Sequence, residues 1–287
     1  MTNNLWQVRE KILKSDPQKY MQQQIPSKII FLHIPKAAGT TLRDIIHRQY
    51  AADEIYELDS QEFVQAQEDF KQLDPAKKAE ITILMGHMYF GLHEFIDFPA
   101  TYITMLRNPI ERVISYYHFV KKLTSHEDYE LIKTKNISLQ QYCQMGRQNM
   151  CNGQTRFLSG AGASAIGDRP MLAMAKQNLQ QNFAVVGIQE RFDESLLLLQ
   201  KKLGWHRAPY YYRRNTNRTN SYSRLEISSE TLSVIKKHNE LDLELYEYAN
   251  QIFTRDLEQH HRSLKTFQIA NSIYGRYSVF AQKLLSS

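Results

Sequence analysis

Four short apolar runs, each closed by a polar turn, punctuate the first two thirds of the chain. Residues 28–34 (KIIFLHI) are β-branched and almost wholly apolar, the pattern of a strand covered on both faces. Residues 81–85, 101–106 and 183–188 (FAVVGI) repeat it. Three of the four give way to a 3.6-residue period. After the first, Leu42, Ile45, Ile46 and Tyr50 share one helical face within residues 41–50. After the third, Asn108 suits an N-cap, Pro109 the first helical position and Glu111 the far corner of a capping box. Ile110, Val113, Ile114 and Tyr117 then form the apolar face. After FAVVGI, Asp193 is placed to cap a helix through Leu196–Leu199 that stops at Gly204. Strand followed by helix, repeated, predicts an α/β fold: a central parallel sheet flanked by helices. From Ser229 onward the pattern is helical throughout.

No repeat, low-complexity tract or Pro/Gly/Ser-rich linker divides the chain, so the 287 residues read as one main domain over 27–262. Residues 1–26 form a helical or flexible N-terminal segment. Residues 263–287 form an amphipathic helix, with Lys265, Arg276 and Lys283 against Phe267, Ile273, Tyr277, Phe280 and Leu284, packed on the domain or on a partner. No apolar run is long enough to span a bilayer and no signal core opens the chain, so the expected location is cytoplasmic. Two cysteines, Cys143 and Cys151, make no disulfide framework and match no zinc spacing.

The net charge of +6 points to an anionic ligand without choosing among nucleotide, nucleic acid, membrane and glycan. Its distribution says more. Residues 53–74 carry eight acids against the single Lys71, whereas 201–224 carry seven Lys/Arg and no acid. Charge runs are usually solvated surface. The basic stretch also interleaves Arg213, Arg214 and Arg218 with Asn, Thr and Ser, all good partners for phosphate.

The first strand runs into PKAAGTT. A tight loop feeding a helix presents backbone N–H groups at the helix end, where the dipole favours an anion. Gly39 allows close approach, Thr40 and Thr41 add hydroxyls, and Lys36 adds a mobile charge. The Walker pattern is absent, because the lysine precedes the glycine. An ordinary strand-to-helix turn with an incidental lysine stays open on these residues alone. A second constellation, MLRNPIERVISYYHF, puts Arg107 at a strand end and Ser115 in the second turn of the capped helix. Both can face the edge of the sheet where open α/β folds bind ligands. Two phosphate sites on one edge suggest a nucleotide phosphorylated at both ends.

The pairing of FLHIPKAAGTTL with TMLRNPIERVISYYH resembles the sulfotransferases that use 3′-phosphoadenosine 5′-phosphosulfate (PAPS), in the branch containing heparan sulfate 2-O-sulfotransferase and related bacterial enzymes. The resemblance covers roughly residues 27–225 and is specific at the two loops. It implies that Lys36, Ala37, Ala38, Gly39, Thr40 and Thr41 hold the sulfuryl-bearing end, and that Arg107 and Ser115 hold the 3′-phosphate. It further implies that Arg213, Arg214 and Arg218 lie near the nucleotide, with 3′,5′-adenosine bisphosphate (PAP) as product and no metal. GHMYFGLHEF (86–95) resembles the G-H-x-x-F/Y stretch that carries the general base, which points to His87. His33 reads as a structural strand histidine, and His93 as a residue that could orient the acceptor.

The expected function is sulfuryl transfer to a hydroxyl of a small molecule or glycan, with no nucleic-acid partner and with homo-oligomerisation open. The acidic 53–74 stretch, if it borders the acceptor, disfavours a polyanion and leaves a natural product in play. A P-loop-like kinase and an idle nucleotide- or glycan-binding protein are the alternatives. The SGAGASAIG run (159–167) lacks the spacing of a dinucleotide fingerprint and reads as a loop bordering the acceptor.

Overall fold

The computed structural model describes residues 28–58, 62–161, 168–211, 227–258 and 264–285, with side chains of the last segment through Tyr274. Five parallel strands form one sheet: β1 (Lys28–Leu32), β2 (Ile55–Glu57), β3 (Ile83–Gly86), β4 (Ala100–Leu106) and β5 (Phe183–Ile188). Their order is β2-β3-β1-β4-β5. β1 is central, with Phe31 opposite Met85 on β3 and Ile103 on β4. Both faces of β1 are covered, which is why its sequence is a continuous apolar run rather than an alternation. The chain leaves β1 for β2 and β3 on one side, then crosses to β4 on the other. That change of direction opens a crevice beyond the carboxyl end of β1.

Helices cover the sheet: α1 (Gly39–Gln49), α2 (Phe63–Gln72), α3 (Pro75–Glu80), α4 (Pro109–Val120), α5 (Tyr129–Thr134), α6 (Leu139–Gln144), α7 (Gly153–Ser159), α8 (Asp168–Asn182), α9 (Phe192–Lys202), α10 (Ser229–His238), α11 (Glu240–Leu257) and α12 (Leu264–Leu285). There are two apolar cores. The larger joins both faces of the sheet to α1, α8, α9 and α11. The smaller lies among α4, α5, α6 and α10, around Val113, Val120, Tyr142, Cys143 and Ile235. Each fully buried aliphatic side chain in them contributes about 1.5–3 kcal/mol relative to exposure.

Three local expectations are corrected. Asn108 caps α4 through the amides of Ile110 and Glu111, but Glu111 does not close the box. The Asn108 amide donates instead to Glu190 Oε1 (2.9 Å), from the turn after β5. Asp193 does not cap α9 but sits inside its first turn, where it accepts the Tyr211 hydroxyl (2.8 Å). The acidic 53–74 stretch contains an edge strand, β2, as well as helix. α12 packs through Phe267, which is buried, and through Asn271, which accepts the Tyr211 amide. Among the described residues no helix is long and apolar enough to cross a membrane.

Candidate active site

Residues 33–38 join β1 to α1 and carry backbone strain. Lys36 and Ala38 take left-handed conformations (φ 68° and 62°), with Ala37 between them outside that region. Such a conformation costs a non-glycine residue about 1–3 kcal/mol, and the alternation turns successive amides to one side as an anion-binding nest. No side chain caps α1. Leu42 donates back to Ala38, while the amides of Gly39, Thr40 and Thr41 face out of the helix end without a described partner.

Gly39 serves a purpose its sequence position did not disclose. A Cβ at residue 39 would land inside the His33 imidazole. His33 lies one residue past β1 rather than within it, with its ring 4.3 Å from that of His87. Its main-chain oxygen takes a hydrogen bond from His87 Nδ1 (2.7 Å). A carbonyl can only accept, so Nδ1 of His87 carries the proton and Nε2 holds a free lone pair whenever the ring is neutral. Burial depresses the His87 pKa, and the nearby Lys36 charge depresses it further; the bond to His33 opposes both. His87 is therefore neutral at pH 7 and ready to accept a proton.

Lys36 is the second arm. Its ammonium lies 4.3 Å from the centre of the Phe119 ring, and its pKa is lowered by burial, then by Arg107 and by Lys122. Arg107 Nη1 donates to Lys36 O (3.1 Å), which ties the end of β4 to the strained loop of β1. The half-buried Ser115 lies on the same side of α4 as Phe119, one turn before it, and the Phe119 ring sits beneath Lys36. Lys36, Arg107, Ser115 and the α1 amides thus converge at the crevice, while His87 approaches from the end of β3.

The profile of the galactose-3-O-sulfotransferase family matches residues 8–270. The chain belongs to that family. Human heparan sulfate 2-O-sulfotransferase 1 is 25% identical over 268 residues, covering 78% of this chain and 70% of that protein. The heparin sulfate O-sulfotransferase of Drosophila melanogaster is 27% identical over 185 residues, covering 56% and 52%. A mouse sulfotransferase, SULT7A1, in complex with PAP superposes with TM-score 0.39 and 12% identity over 85% of this chain and 88% of that one.

The chain is thus a PAPS-dependent O-sulfotransferase. Its loop suits such a donor in its own geometry. An uncapped helix end, a nest of amides and a half-buried lysine beside an arginine make a concentration of positive potential with no described acid in an ion pair with Lys36.

His93 belongs elsewhere. Its Nδ1 is 3.0 Å from the Tyr102 hydroxyl, which also accepts the amides of Gly91 and His93. Tyr102 lies near the start of β4, so His93 holds the turn after β3 together at the far end of the sheet. Arg213, Arg214 and Arg218 lie outside the described residues, as do residues 162–167 of the glycine-rich run. Among the described residues no cluster of three or more His, Cys, Asp or Glu is arranged to hold a metal.

Two site features escaped the sequence reading. Glu190 lies beside Arg107 and holds up its charge against burial. Gln154, fully buried on α7, bonds the main chain of Arg107 from both sides. Glu190 lies in VVGIQERFDESLLLL, a run that also resembles a family segment near the nucleotide, but its contact with the end of β4 is visible only in the fold; Gln154 carries no motif.

Proposed function

We propose that the sulfotransferase moves the sulfuryl group of PAPS to a hydroxyl of a glycan, with His87 as general base and Lys36 stabilising the departing oxygen. The observation that carries this reading is the fixed His87 ring: Nδ1 is held by His33 O, and Nε2 has no hydrogen-bond partner among the described residues, while the Lys36 charge acts on the ring. When bound, PAPS supplies the sulfuryl group and a phosphate oxygen that becomes negative as it leaves. His87 takes the acceptor proton at Nε2, a transfer worth about 10²–10⁴-fold in rate. Lys36 and the amides of Gly39, Thr40 and Thr41 bind the 5′ end, and Arg107 with Ser115 binds the 3′-phosphate.

The names of the relatives support a glycan acceptor. The argument against a polyanion weakens, because several acids of the 53–74 stretch have local partners. Glu57 pairs with Arg43 (3.0 Å) and His47 (3.3 Å), Glu68 with Lys71 (2.6 Å), and Asp74 caps α3.

A thermal-shift panel tests the donor half. PAP should raise Tm well above the effect of ATP with Mg²⁺ or of AMP; a ligand at 100 times its Kd adds about 2.7 kcal/mol. Stabilisation by ATP with Mg²⁺ alone would contradict the reading. Transfer of labelled sulfuryl from PAPS to a panel of glycans and small hydroxylated compounds tests the acceptor half, and turnover confined to the small compounds would overturn the glycan.

Arg107→Ala gives a site-level check. PAP should bind about 10- to 150-fold more weakly, the range for one or two lost charge-assisted bonds. Adenosine 5′-phosphosulfate (APS), which lacks the 3′-phosphate, should lose far less, and only through the loosened Lys36 carbonyl. Equal losses for both would make Arg107 a structural residue.

A further inference from the structure

We propose that Gln154 is the positioning residue of the 3′-phosphate site, and that Asp242 on α11 holds it in place. The inference rests on Arg107 being the 3′-phosphate residue. β4 pairs with β1 as far as Thr104 and with β5 as far as Leu106. Arg107 is the first residue beyond the ladder, where a strand normally frays and its amide and carbonyl turn to water. Here Arg107 N donates to Gln154 Oε1 (3.0 Å), and Gln154 Nε2 donates to Arg107 O (2.9 Å). A primary amide offers one acceptor and one donor side by side, as a neighbouring strand would. Gln154 thus extends the sheet by one residue at the residue whose guanidinium must meet a phosphate.

Gln154 is itself fixed. Its own amide donates to Asp242 Oδ2 (3.1 Å), and Thr155 N and Oγ1 both donate to Asp242 Oδ1 (2.7 Å each). Asp242 therefore caps α7 from another helix. Asn152, just before α7, returns the favour: its Oδ1 accepts the amides of Leu241 and Asp242 at the start of α11. Gln154 and Asp242 are both fully buried, and Arg112 lies 3.8 Å from Asp242 Oδ2. A buried acid with three donors and a cation against it does not move cheaply. The C-terminal helices and the end of β4 are joined in this way into one rigid mount for Arg107.

The consequence is a selective one. A mispositioned Arg107 loses grip on the 3′-phosphate, while the 5′ end, held by α1 and Lys36, is served by other groups. Gln154→Met keeps length and volume but removes both bonds. It should weaken PAP by about 10- to 100-fold, as expected when a charge-assisted contact loses its pre-organisation, and APS by about twofold or less. In turnover the loss should appear in KM for PAPS, with kcat nearly unchanged.

Gln154→Glu covers the case in which the methionine variant does not fold. Protonated, a glutamic acid both accepts and donates as the amide does; ionised, it cannot donate to Arg107 O. The titratable groups around position 154 are Arg107 and Asp242, which it bonds, with Arg112 on α4 against Asp242 and Glu190 against the neighbouring Asn108, and all are common to both proteins. PAP affinity relative to wild type should recover as pH falls and the new carboxyl protonates, a response that a merely space-filling role would not give. Wild-type preference for PAP over APS in both variants, with no pH-dependent recovery, overturns the inference alone. Absence of that preference in wild type, or its persistence in Arg107→Ala, overturns the reading of Arg107 and this inference with it.

Discussion

His87→Ala should lower sulfuryl transfer by about 10²–10⁴-fold while leaving PAP affinity within a few-fold of wild type. The separation follows from geometry: the described hydrogen bond of the His87 ring goes to His33 O and not to a group assigned to the donor, although the ring feels the Lys36 charge. The donor groups sit in the loop before α1, at the start of α1, at the end of β4 and on α4. The pH profile of kcat/KM gives the same prediction a second form. Burial and Lys36 hold the His87 pKa below the ordinary imidazole value, and the ring acts only when unprotonated. The wild-type rate should therefore fall on the acid side with a midpoint below the ordinary imidazole value; the residual rate of the variant should lose that acid limb. Wild-type turnover in His87→Ala would remove the base assignment.

Lys36→Ala should lower kcat by about 10²–10³-fold, the scale seen when one preorganised donor is withdrawn from developing negative charge. The reason is differential. The leaving oxygen gains charge only as the bond to sulfur breaks, so the ammonium contributes more in the transition state than in the bound complex. Burial first, then Arg107 and Lys122, lower its pKa, and the ammonium is held over Phe119 at the strained loop. PAP binding should weaken more modestly, because the α1 amides and Arg107 remain. Normal kcat at saturating PAPS with a loss confined to KM would show that Lys36 merely binds.

The strands were legible because burial on both faces writes itself as an unbroken apolar run, as KIIFLHI and FAVVGI do. β2 was not, since Ile55–Glu57 is three residues at the sheet edge, with one neighbour and acids on either side. The donor loop was legible because an anion site needs a cation, a glycine and free amides close together in sequence. What the glycine does was not legible: it makes room for His33, a tertiary fact. His33 was read as a strand histidine, yet its carbonyl is what sets the His87 tautomer. Caps were legible where the partner is local, as Asn108 is to Glu111, and misread where a distant residue competes, as Glu190 does. Gln154 reaches Arg107 across 47 residues with a side-chain amide, and no local pattern announces such a bond.

The most direct test of the His87 assignment is the protonation state of the ring itself. A ¹H–¹⁵N correlation spectrum of His87 at neutral pH, assigned by its absence from His87→Ala, should show a neutral ring with the proton on Nδ1 and a bare Nε2. Titration should give a pKa below the ordinary histidine value. A proton on Nε2, or a pKa above that value, would contradict the account, because the ring would then offer no free nitrogen to an acceptor hydroxyl at pH 7.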